Sequence, residues 1–157
     1  MFPDYQCGGS LISESWIISA AHCSNTADGP AKFVKLGNVI RNQENSNTWT
    51  YSIIKRVSFP NYHSRQAEDD IALFELNERV QFNRFVIPLC LPHTGALITK
   101  KAIATGWGRQ GFGEEASEVL MKVTIEYFNQ NQCNTVYEDD EKLEGKGINW
   151  DKMVKKR

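Results

Sequence analysis

The sequence predicts an all-β protein, a barrel or a sandwich built from many short strands. Three observations carry this. Short runs of β-branched and aromatic residues recur along most of the 157 residues. Gly, Asn and Pro separate them at regular spacing, as turns do. Only the stretch from Asn129 to Tyr137 reads as a helix, and a short one.

The strands follow in order. Ser10-Leu-Ile-Ser and Trp16-Ile-Ile-Ser are two short β-type runs split by a polar turn. Lys32-Phe-Val-Lys-Leu-Gly37 alternates with period two, the pattern of a half-buried strand. Arg41 to Thr48 is polar and Asn-rich, so it reads as a loop tip. Trp49 to Phe59 is a longer strand closed by Pro60, and Asp70-Ile-Ala-Leu-Phe-Glu-Leu76 is an apolar strand opened by an aspartate. Ile87-Pro-Leu-Cys-Leu-Pro92 is an extended connector, because its prolines resist both a helix and a central strand. Lys101 to Trp107 and Val119 to Tyr127 are two further strands around a Gly-rich loop, Gly106 to Gly113. The tail from Glu138 is charged and has little periodicity; there is no internal repeat and no low-complexity tract.

Composition narrows the function classes. Apolar residues make up 41% and aromatics 11%, enough for a core. A net charge of −1 gives no basic face, so nucleic acid is not an expected partner. The apolar runs are far shorter than a membrane span. Met1-Phe-Pro-Asp-Tyr-Gln lacks the basic start and apolar stretch of a secretory signal. The cysteines at 7, 23, 90 and 133 nevertheless have no Cys-x-x-Cys spacing, which argues against thioredoxin chemistry and a zinc ribbon and fits disulfides of an extracellular protein. The two readings agree if the natural start lies upstream of Met1.

The candidate chemistry begins at His22, pressed against Cys23. An imidazole held in place is a candidate general base, but a core histidine bonded to backbone is the plainer alternative. Cys7, His22 and Cys23 are the only metal candidates, and adjacent His-Cys is poor ligand spacing, so no metal is expected. An orienting carboxylate is available in Asp70, which follows Glu68 and Asp69; a solvated acidic turn is the competing reading of that triplet. Four cysteines allow three pairings.

Cys7-Gly-Gly-Ser-Leu-Ile with Ser19-Ala-Ala-His-Cys23 resembles the histidine signature of the trypsin/chymotrypsin-like serine proteases. Asp70-Ile-Ala-Leu resembles the aspartate motif of that family, and Pro88-Leu-Cys-Leu-Pro92 and Thr105-Gly-Trp-Gly108 resemble its connector and second-barrel opening. The motifs occur in the family's order, and the resemblance runs from Cys7 to Cys133. The Asn-rich loop and Asn129-Gln-Asn-Gln-Cys133 are similar to the clip-domain proteases of arthropod extracellular cascades.

The resemblance implies a secreted serine endopeptidase with a double β-barrel, here incomplete at both ends. Residues 1–92 would form most of the first barrel without its opening strand, and 93–157 a fragment of the second with an irregular tail. It implies that His22 is the general base, that Asp70 orients it, and that Cys7 and Cys23 form a disulfide. Cys90 and Cys133 match cysteines whose partners are not in this sequence, so both are expected unpaired. No cofactor is implied; the partners would be protein substrates or cascade proteins.

The family's Gly-Asp-Ser-Gly-Gly nucleophile segment does not occur in the 157 residues, nor does an Ile-Val-Gly-Gly-type start. With the nucleophile go the oxyanion-hole N–H groups and the primary specificity pocket. Ile148-Asn-Trp-Asp-Lys-Met-Val154 resembles the run-up to the family's next Cys-Ala-Gly, then breaks into Lys-Lys-Arg157, as a truncated or mis-spliced end would. The chain by itself is therefore expected to be inactive. The alternative function is a non-catalytic protease homologue that binds or regulates cascade proteins. A trypsin-type calcium loop after Leu36-Gly37 is not expected, because Asn38 stands at an acidic position and Glu44 is the loop's only carboxylate. No Asn-x-Ser/Thr signal occurs, and Ala67 would lie near a substrate groove by the same resemblance.

Overall fold

The computed structural model describes residues 7–65, 68–91, 101–111 and 113–137. Ala67, Pro92, the proposed junction at 92/93 and the tail from 138 lie outside the described residues.

The first sheet has five antiparallel strands in the order β1-β2-β5-β4-β3. They are β1 (Ser10–Leu11), β2 (Trp16–Ser19), β3 (Phe33–Leu36), β4 (Trp49–Ser58) and β5 (Ala72–Leu76). Strand β5 has every second residue buried (Ala72, Phe74, Leu76), so the period-two pattern points one face to the core. Its neighbour β2 contributes Ile17, set directly across from Phe74. Tyr51 and Ile53 of β4 join the same core, as do Val80 and Val86 from the segment after β5.

Strand β4 is the bent one. Ile53 pairs with Leu76 but Lys55 pairs with Glu75, so Ile54 is an extra residue in the ladder. The bulge shifts the alternation, and Ile54 is left exposed while Arg56 comes opposite buried Phe74. Arg56 uses that place to donate from its guanidinium to the Ala31 carbonyl. A bulge in mid-strand bends the sheet, as closure toward a barrel requires.

Two glycines are needed where backbones close in. A Cβ on Gly9 would sit 2.7 Å from Ile17 Cγ2 and 3.1 Å from the Ile18 carbonyl, so only glycine lets β1 lie against β2. Gly37 has φ +82 and faces the Asn47 carbonyl at the neck of the polar loop. The connector runs along β1, with Leu89 N–H donating to the Leu11 carbonyl at 2.8 Å.

The second sheet is a hairpin of β6 (Lys101–Gly106) and β7 (Met121–Glu126). A helix, α1 (Gln130–Tyr137), follows, one residue shorter than the sequence reading. The hairpin is held to the first sheet by the segment after β3. Arg41 N–H donates to Glu118 O at 2.7 Å, Leu120 N–H to Val39 O at 2.8 Å, and the Trp107 indole N–H to the same Val39 carbonyl at 3.0 Å. Among the described residues no helix is long and apolar enough to cross a membrane.

Candidate catalytic dyad

Two strand ends meet at the site. Strand β2 pairs with β5 so that Ser19 lies opposite Ala72. Immediately after β2, the chain enters a 3-10 turn, Ala21–Ser24, that carries His22. Glu68, Asp69 and Asp70 stand ahead of β5, separated from it by Ile71. The antiparallel pairing of β2 with β5 brings the two segments side by side, and across them His22 meets Asp70, 48 residues away in sequence.

The 3-10 turn is pinned from below. Ala21 and Cys23 are buried on either side of His22. Cys23 is disulfide-bonded to Cys7 across a separation of 16 residues. Ser19 Oγ donates to the Gly8 carbonyl at 2.8 Å, and the Cys23 N–H reaches the Ala20 carbonyl at 3.2 Å. With both neighbours buried, the His22 side chain projects outward and is 60% exposed. That geometry disposes of a core histidine.

Asp70 grips His22 at two points. Its Oδ1 accepts the His22 backbone N–H at 2.9 Å, and its Oδ2 lies 2.6 Å from Nδ1. Burial pushes the Asp70 carboxyl upward, but the side-chain and backbone hydrogen bonds from His22, its charge and the Ala21 N–H together outweigh this and hold the group below its ordinary value of 3.8. The carboxylate is thus ionised near neutrality and can only accept. Nδ1 must then carry a proton, so that in the neutral ring the lone pair lies on Nε2. This is the tautomer of a general base that takes a proton at Nε2. Among the described residues, the ring's hydrogen bond runs to Asp70 alone.

Asp70 is not in a solvated acidic turn, nor is it the first residue of a strand. Asp69 beside it is buried at 8% exposure and has φ 59, the only positive φ at a non-glycine among the described residues. The Ile71 N–H donates back to the Asp69 carbonyl at 2.8 Å, which places Asp70 at the apex of a three-residue turn. Strand β5 begins only at Ala72. Sequence reasoning saw the triplet but gave no role to Asp69.

Tyr62 was also missed. It comes from the loop after β4 and lies against the core. Burial and the negative charge of Asp70 raise its hydroxyl above the ordinary 10.0. No spacing rule links positions 62 and 70, so only the folded loop brings them into range.

A ring nitrogen of His22 and the sulfurs of Cys7 and Cys23 all lie within 4.8 Å of one another. Both sulfurs are spent in the disulfide, so the trio offers no thiolate to a metal. In the polar loop, Lys35 pairs with Glu44, and Thr48 donates to the Asn38 side-chain oxygen. Cys90 is exposed, Cys133 half-buried, and both are free.

The chain matches the family model for Trypsin over residues 2–152. It is 34% identical over 137 residues to Serine protease snk of Drosophila melanogaster, an alignment covering 87% of this chain and 32% of that protein. Transmembrane protease serine 9 of Rattus norvegicus is 32% identical over 139 residues, 85% of this chain and 13% of its own length. Venom serine protease Bi-VSP of Bombus ignitus is 30% identical over 142 residues, 86% of this chain and 39% of its own. The chain therefore spans well under half the length of these relatives.

Proposed function

Because the chain belongs to the trypsin family of serine proteases, we propose that it carries the general-base half of a serine endopeptidase centre. In this reading His22 takes the proton from a serine nucleophile through Nε2, and Asp70 fixes the tautomer and stabilises the imidazolium that forms. The observation that carries it is the two-point bond between Asp70 and His22. One carboxylate oxygen sets the position of the backbone and the other sets the ring, so the imidazole cannot rotate without breaking a charge-assisted bond.

The nucleophile is not encoded in these 157 residues, since Gly-Asp-Ser-Gly-Gly is absent from them. We therefore assign residues 1–92 to most of the first barrel and 93–157 to part of the second, with hydrolysis of peptide bonds a property of a longer polypeptide. The disulfide supports an extracellular setting. The chain on its own should not perform acyl transfer, because a base without its nucleophile has little value. The substrates of the longer protein would be proteins, and its setting an extracellular cascade.

A serine-reactive fluorophosphonate probe tests the first half of this reading. The 157-residue chain should remain unlabelled; stoichiometric labelling of any serine would overturn it. A longer product of the same gene that contains the Gly-Asp-Ser-Gly-Gly segment should be labelled, and should lose about 10⁴-fold or more in kcat on His22→Ala. Equal turnover by that variant would remove His22 from the mechanism. The second reading is a non-catalytic homologue that binds cascade proteins, and a gene with no such segment would select it.

A further inference from the structure

Two neighbouring carboxylates, Asp69 and Asp70, stand ahead of β5, and it is Asp70 that bonds the imidazole of His22. The ladder between β2 and β5 sets Ser19 opposite Ala72 and Ile18 opposite Leu73. Carried on without interruption, that register would set Ala20 opposite Ile71, Ala21 opposite Asp70 and His22 opposite Asp69. An unbroken antiparallel pair would thus bring the wrong aspartate to the histidine. The chain instead leaves the ladder on both sides. Past β2 it coils into the 3-10 turn, and before β5 it makes the three-residue turn closed by the Ile71 N–H and Asp69 O.

Asp69 is where that departure is made. Its φ of 59 lies in the left-handed region, which L-residues other than Asn and Asp seldom enter. It holds this conformation while buried, with the exposed Ile71 two residues on. The left-handed residue opens the three-residue turn, from whose apex the Asp70 carboxylate reaches both the backbone and the ring of His22.

We propose that Asp69 is a positioning residue of the dyad, whose left-handed backbone selects Asp70 over itself as the partner of His22. The proposal rests on the general-base reading above. It requires a residue at 69 that tolerates positive φ, and it makes no demand that the residue be acidic. Asn and Gly satisfy it; Ala and Val do not.

The experiment uses the full 157-residue chain with Asp69→Asn, Asp69→Gly, Asp69→Ala and Asp69→Val. Three signals are followed by NMR: the Asp70 carboxyl carbon through an acid titration, exchange protection of the His22 amide, and the core resonances of Ile17 and Phe74. The expected result is that Asn and Gly keep the depressed Asp70 titration and the His22 protection. Ala and Val should return the Asp70 midpoint toward the ordinary carboxylate value and lose about 5- to 30-fold in protection, the range set by the left-handed penalty of an L-residue. Their core signals should persist.

Full retention in Ala and Val overturns the proposal. So does loss in Gly, since side-chain contacts of Asp69 would then be the cause. Collapse of the core signals in Asp69→Ala makes the residue structural and overturns it as well. An ordinary Asp70 midpoint in the unsubstituted chain is a separate failure, that of the His22–Asp70 reading itself.

Discussion

The five-stranded sheet and the β6–β7 hairpin are made of similar residues and are buried very differently. Among the described residues, all eleven buried apolar ones, from Leu11 to Val86, belong to the first region. Among the described residues of 101–137 none is buried. The hairpin still has a sorted pattern. Its register places Ala102, Ala104 and Gly106 across from Ile125, Val123 and Met121, an apolar face, while Lys101, Ile103 and Thr105 lie across from Glu126, Thr124 and Lys122 on the other, where Ile103 is the single apolar residue. A two-stranded ribbon has nothing to bury such a face against and is marginal alone. The lesson is that alternation specifies which face would be buried, whereas burial itself needs further strands.

The largest effects should therefore fall in the first region. Phe74→Ala removes a ring 3% exposed at the centre of the core and should cost about 3–5 kcal/mol. That is comparable with the whole stability of a small domain, about 5 kcal/mol at the low end, so the chain should lose its cooperative urea transition. Val123→Ala in the hairpin, 58% exposed, should stay within about 0.5 kcal/mol. A cost of about 2 kcal/mol or more at Val123 would show that the hairpin face is covered in solution, and the contrast between the regions would fail.

The same contrast separates what was legible in the sequence from what was not. Strand positions in both regions followed from period two and from Gly, Asn and Pro punctuation, because these are local effects. The Asp70–His22 encounter was reachable only through the resemblance of Ser19-Ala-Ala-His-Cys23 and Asp70-Ile-Ala-Leu, since spacing alone left a core histidine and an acidic turn open. The bulge at Ile54 was not legible: the run Trp49 to Ser58 alternates poorly, and its kink depends on where β5 pairs with it. Asp69 and Tyr62 escaped for the same reason, one through a backbone angle and one through a loop that folds back on the dyad.

Opening the Cys7–Cys23 bond should come next in size. In the chain-entropy model a loop of this separation contributes about 3 kcal/mol. A Cys7→Ala, Cys23→Ala double variant should lower the urea midpoint accordingly. Amide exchange should quicken around β1 and the His22 turn and stay unchanged in β6 and β7. Equal loosening of the hairpin would mean that the two regions unfold as one unit, which would sharpen the comparison into a statement about cooperativity.

Acid should act on the first region alone through Asp70. Its folded pKa is depressed, so its contribution is fully present above the unfolded value, near 3.9, and is lost as pH falls through the folded value. Stability measured against an Asp70→Asn chain should show a gap that is constant at neutral pH and closes below about pH 4. The same substitution removes one of the two causes that raise Tyr62, so its phenol should titrate lower. A gap that stays open in strong acid would mean that Asp70 contributes through its shape and not through its charge.

The smallest effect tests the tether between the regions. Trp107→Phe keeps an aromatic ring and deletes the indole N–H that reaches the Val39 carbonyl at 3.0 Å. A single hydrogen bond contributes about 0.5–1.5 kcal/mol net, and one in contact with solvent falls at the low end. Global stability should hardly move, because Phe74 and its neighbours do not depend on the hairpin. The Val39 carbonyl also accepts from the Leu120 N–H, and Arg41 donates to Glu118 close by, so two backbone bonds would remain after the substitution. Exchange at the Arg41 and Leu120 amides should therefore quicken by no more than about tenfold, the equivalent of 1.4 kcal/mol. A much larger increase would make Trp107 the bond on which the other two depend. The hairpin would then be attached through one side chain, and its independence from the first sheet would be greater than the backbone bonding implies.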